Sequence, residues 1–174
     1  MKRSFVRMSL VSIGIASISA AAFADPPQIL PTQGMLQGRI GLFYPSSGDA
    51  RDRESAPWMS IGLTMDVPGY FNVPLTKNSM SIDWIGKGSF YSVPLMYNIS
   101  TRQGPIEFGA GIGPAFVRYM DTGGDSHSAI SLGYTAFASL DVVPGPLPVY
   151  LRVQYFGNSR SELSGFGVAI GARF

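Results

Sequence analysis

Gly165-Phe166-Gly167-Val168-Ala169-Ile170-Gly171-Ala172-Arg173-Phe174 is the stretch that decides the fold. Taken alternately, its residues fall into two rows. Phe166, Val168, Ile170, Ala172 and Phe174 form an apolar row; Gly165, Gly167, Ala169, Gly171 and Arg173 form a row of small residues closed by one charge. Side chains alternate across a strand with period two, so this run reads as a β-strand with unlike faces. The same alternation recurs upstream. Ile106, Phe108, Ala110 and Ile112 oppose Glu107, Gly109, Gly111 and Gly113. Met59, Ile61, Leu63 and Met65 oppose Ser60, Gly62, Thr64 and Asp66. Ile130, Leu132, Tyr134, Ala136 and Leu140 oppose Ser131, Gly133, Thr135, Ser139 and Asp141, and Val149, Leu151, Val153 and Tyr155 oppose Tyr150, Arg152 and Gln154.

Eight such segments are bounded by turn residues, at about 36–45, 58–67, 79–86, 90–100, 105–118, 129–142, 148–157 and 163–174. Their apolar rows are bulky and carry no charge until the loop ends. Their other rows carry Arg39, Asp66, Asp83, Glu107, Asp141, Arg152 and Arg173 among many glycines and serines, with no lysine. A solvated strand surface mixes lysine and glutamate. A narrow lumen instead takes small residues and a few paired charges. Most of these segments are at least as long as the about 9–11 residues that cross a bilayer at a tilt. The expected fold is therefore an all-β, eight-stranded, antiparallel up-and-down transmembrane barrel, apolar side outward.

The connections agree with that arrangement. Those after odd segments, Ser46–Pro57, Gly86–Ser89, Tyr119–Ser128 and Asn158–Glu162, are mostly polar, and two are long. Thr101–Gly104 and Val143–Pro148, after even segments, are tight; Pro68–Asn78 is longer. Long outer loops and short periplasmic turns alternate in this way. Tyr44, Trp58 and Phe156 are expected at an outer aromatic girdle, and Phe108, Tyr150 and Phe174 at an inner one. Pro94 and Pro114 fall inside expected strands of a barrel that has no free edge, which places them at strand starts, bulges or rims.

Composition narrows the chemistry. The chain has 174 residues, 45% of them apolar and 14% charged, with 21 glycines, no cysteine and one histidine. Absent cysteine removes disulfides, thiolate metal sites and cysteine nucleophiles, and a single histidine leaves little for imidazole chemistry. Lys2, Arg3 and Arg7 account for the formal charge of +2; without these three of the 13 basic residues, ten face 11 acidic ones. No basic patch for nucleic acid remains. Those three residues precede an uncharged run, Met8–Ala24, that closes on Ala22-Phe23-Ala24 before Asp25. A basic start, an apolar centre and an A-x-A end are the three parts of an export signal. Residues 1–24 are expected to be a signal peptide cut between Ala24 and Asp25, 25–34 a periplasmic lead-in, and 35–174 the barrel.

Val93-Pro94-Leu95-Met96-Tyr97, Gly109-Ala110-Gly111-Ile112-Gly113-Pro114, Leu151-Arg152-Val153-Gln154-Tyr155 and the ending Gly167–Phe174 together resemble the small eight-stranded outer-membrane β-barrel proteins of bacteria, OmpX-like and OmpA-like in plan. The resemblance implies residence in the cell outer membrane, contact with lipid and lipopolysaccharide, and recognition of terminal Phe174 by the outer-membrane assembly machinery. It implies location better than activity.

Candidate chemistry is thin. Gly109-x-Gly111-x-Gly113 lacks the spacing and the lysine of a phosphate-binding loop, and reads as a lumen stripe. Asp125-Ser126-His127-Ser128 holds the residue types of a hydrolytic triad. However, these are neighbours in an expected loop, and Ala129 stands where the His-x-Ser pattern of lipid-modifying barrels needs serine. Asp49, Asp52, Glu54, Asp121 and Asp125 match no calcium loop, and Arg51 and Arg53 suit lipid phosphates. No catalytic, cofactor or metal residue is assigned. The expected function is a non-enzymatic envelope-structural or surface-interaction barrel, its lumen charges forming a structural network. A narrow porin-like channel, a lipid-modifying enzyme and a soluble barrel with reversed faces are the competing readings.

Overall fold

The structure is a computed structural model that describes residues 36–68, 75–120, 124–144, 146–159 and 161–174. The expected signal peptide, with Ala22, Ala24 and Asp25, and the lead-in lie outside the described residues. Eight strands run β1 (Leu36–Pro45), β2 (Trp58–Asp66), β3 (Thr76–Lys87), β4 (Phe90–Gln103), β5 (Ile106–Met120), β6 (Ser126–Val143), β7 (Val149–Asn158) and β8 (Gly165–Arg173). Each pairs antiparallel with its sequence neighbour, and β1 pairs with β8, so the sheet closes into a barrel. Closure leaves no sheet edge along the wall.

The alternation seen in sequence becomes two surfaces. Leu36, Ile40, Leu42 and Tyr44 of β1, Met59–Met65 alternately on β2, and Phe166, Val168 and Ile170 of β8 point outward and are exposed. Every strand contributes to this apolar belt. Arg118, at the outer end of β5, is the one charge at an outward position of the described strands. Arg39, Asp83, Glu107, Arg152 and Arg173 point inward and are buried. The reversed-face soluble barrel is thereby overturned: the charges are inside and the large aliphatic side chains are outside.

The strands exceed expectation at several ends. β3 begins three residues early and β4 runs on through Gln103. β6 takes in Ser126, His127 and Ser128, which pair with Met120, Tyr119 and Arg118. This corrects the expected Tyr119–Ser128 loop; the ladder continues because the β5–β6 hairpin outgrows its neighbours. Pro94 and Pro114 sit mid-strand, not at starts, bulges or rims. The ladder accommodates them by skipping pairs. Pairing of β3 with β4 passes from Ile82↔Leu95 to Ile85↔Ser92, and of β4 with β5 from Pro94↔Ala115 to Tyr97↔Ile112, both without a change of register. Proline brings no N–H, so each site gives up a rung and keeps the alignment. The bulge lies elsewhere, between Asp141 and Val143 of β6.

The aromatic girdles need three corrections. Tyr44, Phe108 and Phe174 are exposed, whereas Trp58, Tyr150 and Phe156 are buried inside. Each of those three shares its strand face with lumen residues, so parity along the strand outweighs aromatic character. The first outer loop also contains an unexpected helix, α1 (Gly48–Arg53), whose N-cap Ser47 accepts a hydrogen bond from the Ala50 amide at 3.4 Å.

Candidate functional site

The lumen is divided along its length. Toward the chain ends it is charged; toward the α1 side it is apolar. The division follows from strands such as β1, β2, β4 and β5, which carry an inward charge near one end, at Arg39, Asp66, Arg102 and Glu107, and an inward apolar residue near the other, at Phe43, Trp58, Phe90 and Val117.

In the charged half, Arg39 on β1 meets Asp83 on β3. Its Nη2 lies 2.6 Å from Oδ2 and its Nε donates to Oδ1 at 3.0 Å, while Nη1 donates to Thr64 Oγ1 at 2.5 Å. β2 lies between these strands, and Gly62 supplies the room: a Cβ there would collide with Asp83 Oδ1 and stand 2.7 Å from Arg39 Nε. A second group gathers β4, β5, β6 and β8. Arg173 Nη2 lies 3.0 Å from Glu107 Oε2, and Nη1 donates to Asp141. Arg102 reaches the other oxygen of Asp141, and Ser100 Oγ donates to Glu107 Oε1 at 2.8 Å. The Arg173 guanidinium also stands over the Tyr150 ring, 4.5 Å from its centroid. Near the inner mouth, Lys77 Nζ pairs with Asp66 at 2.7 Å. Arg152 is different: it lies over the Phe137 ring, 3.6 Å from its centroid.

All seven expected lumen charges, Arg39, Asp66, Asp83, Glu107, Asp141, Arg152 and Arg173, are therefore inside, and six of them are in ion pairs. Sequence reasoning missed Lys77 and Arg102. Arg102 has the same strand parity as Asn98 and Ser100, and Lys77 the same parity as Ser79 and Ser81. Extending those strands by one further pair of residues would have found both.

The apolar half is a plug. Phe43, Trp58, Ile85, Phe90, Met96, Val117, Phe156 and Leu163 form one buried cluster, with Ala50 of α1 packed into it. Trp58 lies between Phe43 and Phe90, at centroid distances of 6.1 and 5.9 Å, and its indole N–H donates to the Glu54 carbonyl at 3.1 Å. Arg51 donates to the Pro45 carbonyl at 2.8 Å, which holds α1 across the barrel end. This cluster packs one end of the lumen with apolar side chains.

His127 stacks on Tyr119, 5.8 Å between centroids, on the projecting β5–β6 hairpin. Among the described residues no cluster of three histidine, aspartate or glutamate side chains has a spacing suited to a metal. The acidic residues Asp49 and Asp52 ride on α1, and Glu54 accepts from the Ser89 amide at 3.3 Å. Phe174 is exposed below the wall, and its amide bonds to the Leu36 carbonyl at 2.8 Å, closing the β1–β8 seam.

No family model and no curated sequence matches this chain. Solved structures similar to it include three bacterial barrels. Neisserial surface protein A (NspA) is 16% identical, with a TM-score of 0.48, covering 79% of this chain and 94% of its own. The N-terminal β-barrel domain of Pseudomonas aeruginosa OprF is 8% identical, with a TM-score of 0.49, covering 82% and 99%. The outer membrane enzyme PagL is 13% identical, with a TM-score of 0.47, covering 80% and 97%.

Proposed function

We propose that this chain is a non-catalytic barrel of the bacterial outer membrane, closed to solutes, that displays α1 and its neighbouring loops at the cell surface. The observation that carries the reading is the belt. Outward aliphatic and aromatic side chains circle all eight strands, and among the described residues of those strands charge is admitted only at Arg118. Exposed apolar surface on that scale is unfavourable in water and favourable against lipid tails. Lipid and lipopolysaccharide are then the immediate partners. The assembly machinery would read Phe174, and export would depend on residues 1–24. The plan is that of the OmpX-like and OmpA-like barrels.

Two further observations support the non-conducting, non-catalytic part. The Trp58 plug fills one end of a lumen that eight strands already leave narrow. His127 stacks on Tyr119, away from the ion-pair network. The combined test is reconstitution in planar bilayers with a lipid-hydrolysis assay alongside. The expected result is no unitary conductance, and identical assay traces for the wild type and His127→Ala. Discrete conductance steps would replace this reading with a channel. Hydrolysis lost on His127→Ala would replace it with an enzyme.

A further inference from the structure

We propose that Arg152, with Ser139 and Gln154, holds one small inorganic anion of the chloride class inside the barrel. The argument begins with a charge inventory. Among the described residues the charged half of the lumen carries five cations, Arg39, Lys77, Arg102, Arg152 and Arg173, against four carboxylates, Asp66, Asp83, Glu107 and Asp141. Every carboxylate is held by a cation other than Arg152: Asp83 by Arg39, Asp66 by Lys77, Glu107 by Arg173, and Asp141 by Arg102 and Arg173. Arg152 is the remaining positive charge.

It is also deeply placed. Arg152 is 5% exposed, and its Nε has no hydrogen-bond partner. Its guanidinium lies against the Phe137 ring, and Arg39, Asp83 and Glu107 act on its charge through space without pairing with it. A ring face attracts a guanidinium but leaves the full charge in place. A buried charge is stable only when an opposite charge or strong hydrogen bonds answer it.

The surroundings offer donors. Across the β6–β7 ladder Ser139 stands opposite Arg152, and Phe137 opposite Gln154. Ser139 and Gln154 are buried on the same inward rows as Phe137 and Arg152. A guanidinium, a hydroxyl and a carboxamide N–H on one patch of wall make a donor set that an anion completes. The patch is cramped. A Cβ at Gly109 would already collide with the Phe137 ring. That crowding favours a single-atom halide over a polyatomic or organic anion.

The test uses the purified full chain in detergent, with unfolding followed by the change in gel mobility on heating. Ionic strength is held constant in sodium chloride, sodium bromide or sodium gluconate. A ligand that binds only the native state raises the unfolding temperature in proportion to the logarithm of its occupancy term. Chloride and bromide should raise it saturably and gluconate should not. Arg152→Met should keep the mobility shift and lose the halide response. Gln154→Leu should raise the half-saturating chloride concentration several-fold, and the exterior control Arg118→Met should respond like the wild type. Equal unfolding temperatures in chloride and gluconate, or an undiminished halide response in Arg152→Met, would overturn the proposal. If Arg152→Met does not fold, chloride-35 line widths on the wild type decide the matter. Saturable broadening reversed by bromide supports the site, and its absence removes it.

Discussion

Arg39 and Asp83 are 44 positions apart and meet because one glycine lets them. The pair is almost fully enclosed, so desolvation weighs against it and its hydrogen bonds weigh for it. Breaking it from one side leaves an unanswered charge. Arg39→Met alone is expected to destabilise the barrel by about 3–5 kcal/mol, whereas Arg39→Met with Asp83→Leu should recover most of that loss. Urea titrations of the two variants, read by mobility shift, check the difference; equal losses would show that the pair does not act as a unit. Gly62→Val tests the same contact sterically. Its Cβ would displace both partners at once, and overpacking of this kind costs about 1–3 kcal/mol or more. A Gly62→Val barrel as stable as the wild type would contradict the observed packing.

At the scale of the element, a strand's two faces make opposite demands, and single substitutions tell them apart. Val153 lies on the outward row of β7 and is exposed. Val153→Arg should cost about 2–4 kcal/mol if it stands near mid-bilayer. Gly111 lies on the inward row of β5, where a Cβ would collide with Asn98 Oδ1 and stand 2.9 Å from the Tyr97 carbonyl. Gly111→Arg should prevent formation of the heat-modifiable species altogether; normal folding of that variant would mean the inward row faces solvent. This same parity explains what was legible in the sequence. β8 could be read directly because every second residue from Phe166 to Phe174 is apolar. Trp58, Tyr150 and Phe156 were misplaced because they are aromatic and near strand ends, although each shares parity with lumen residues. Aromatics are welcome both at a headgroup level and in a plug, so residue type alone does not choose. Lys77 and Arg102 were missed because turn-like neighbours cut β3 and β4 short. The helix α1 did leave a signal, Ser47 as cap, Asp49 in the first turn and Arg51 and Arg53 in the last, but a helix of six residues has little periodicity to detect.

At the scale of the whole molecule, the barrel is an inverted interior: ion pairs and a plug within, greasy side chains without. Such an arrangement is stable only if its outer wall is kept from water. The plug fills one end of the lumen, and Ala50 seats α1 in it. Ion pairs on the inner wall carry no sequence pattern stronger than alternation, so their pairing was visible only once the register had been fixed. The most direct measurement of the central claim is fractionation of cells expressing the native chain, followed by a carbonate wash and by gels run with and without boiling. The account predicts that the protein stays in the outer-membrane pellet and migrates differently before and after boiling. Its recovery from the aqueous fraction as a folded monomer, without detergent, would contradict the account.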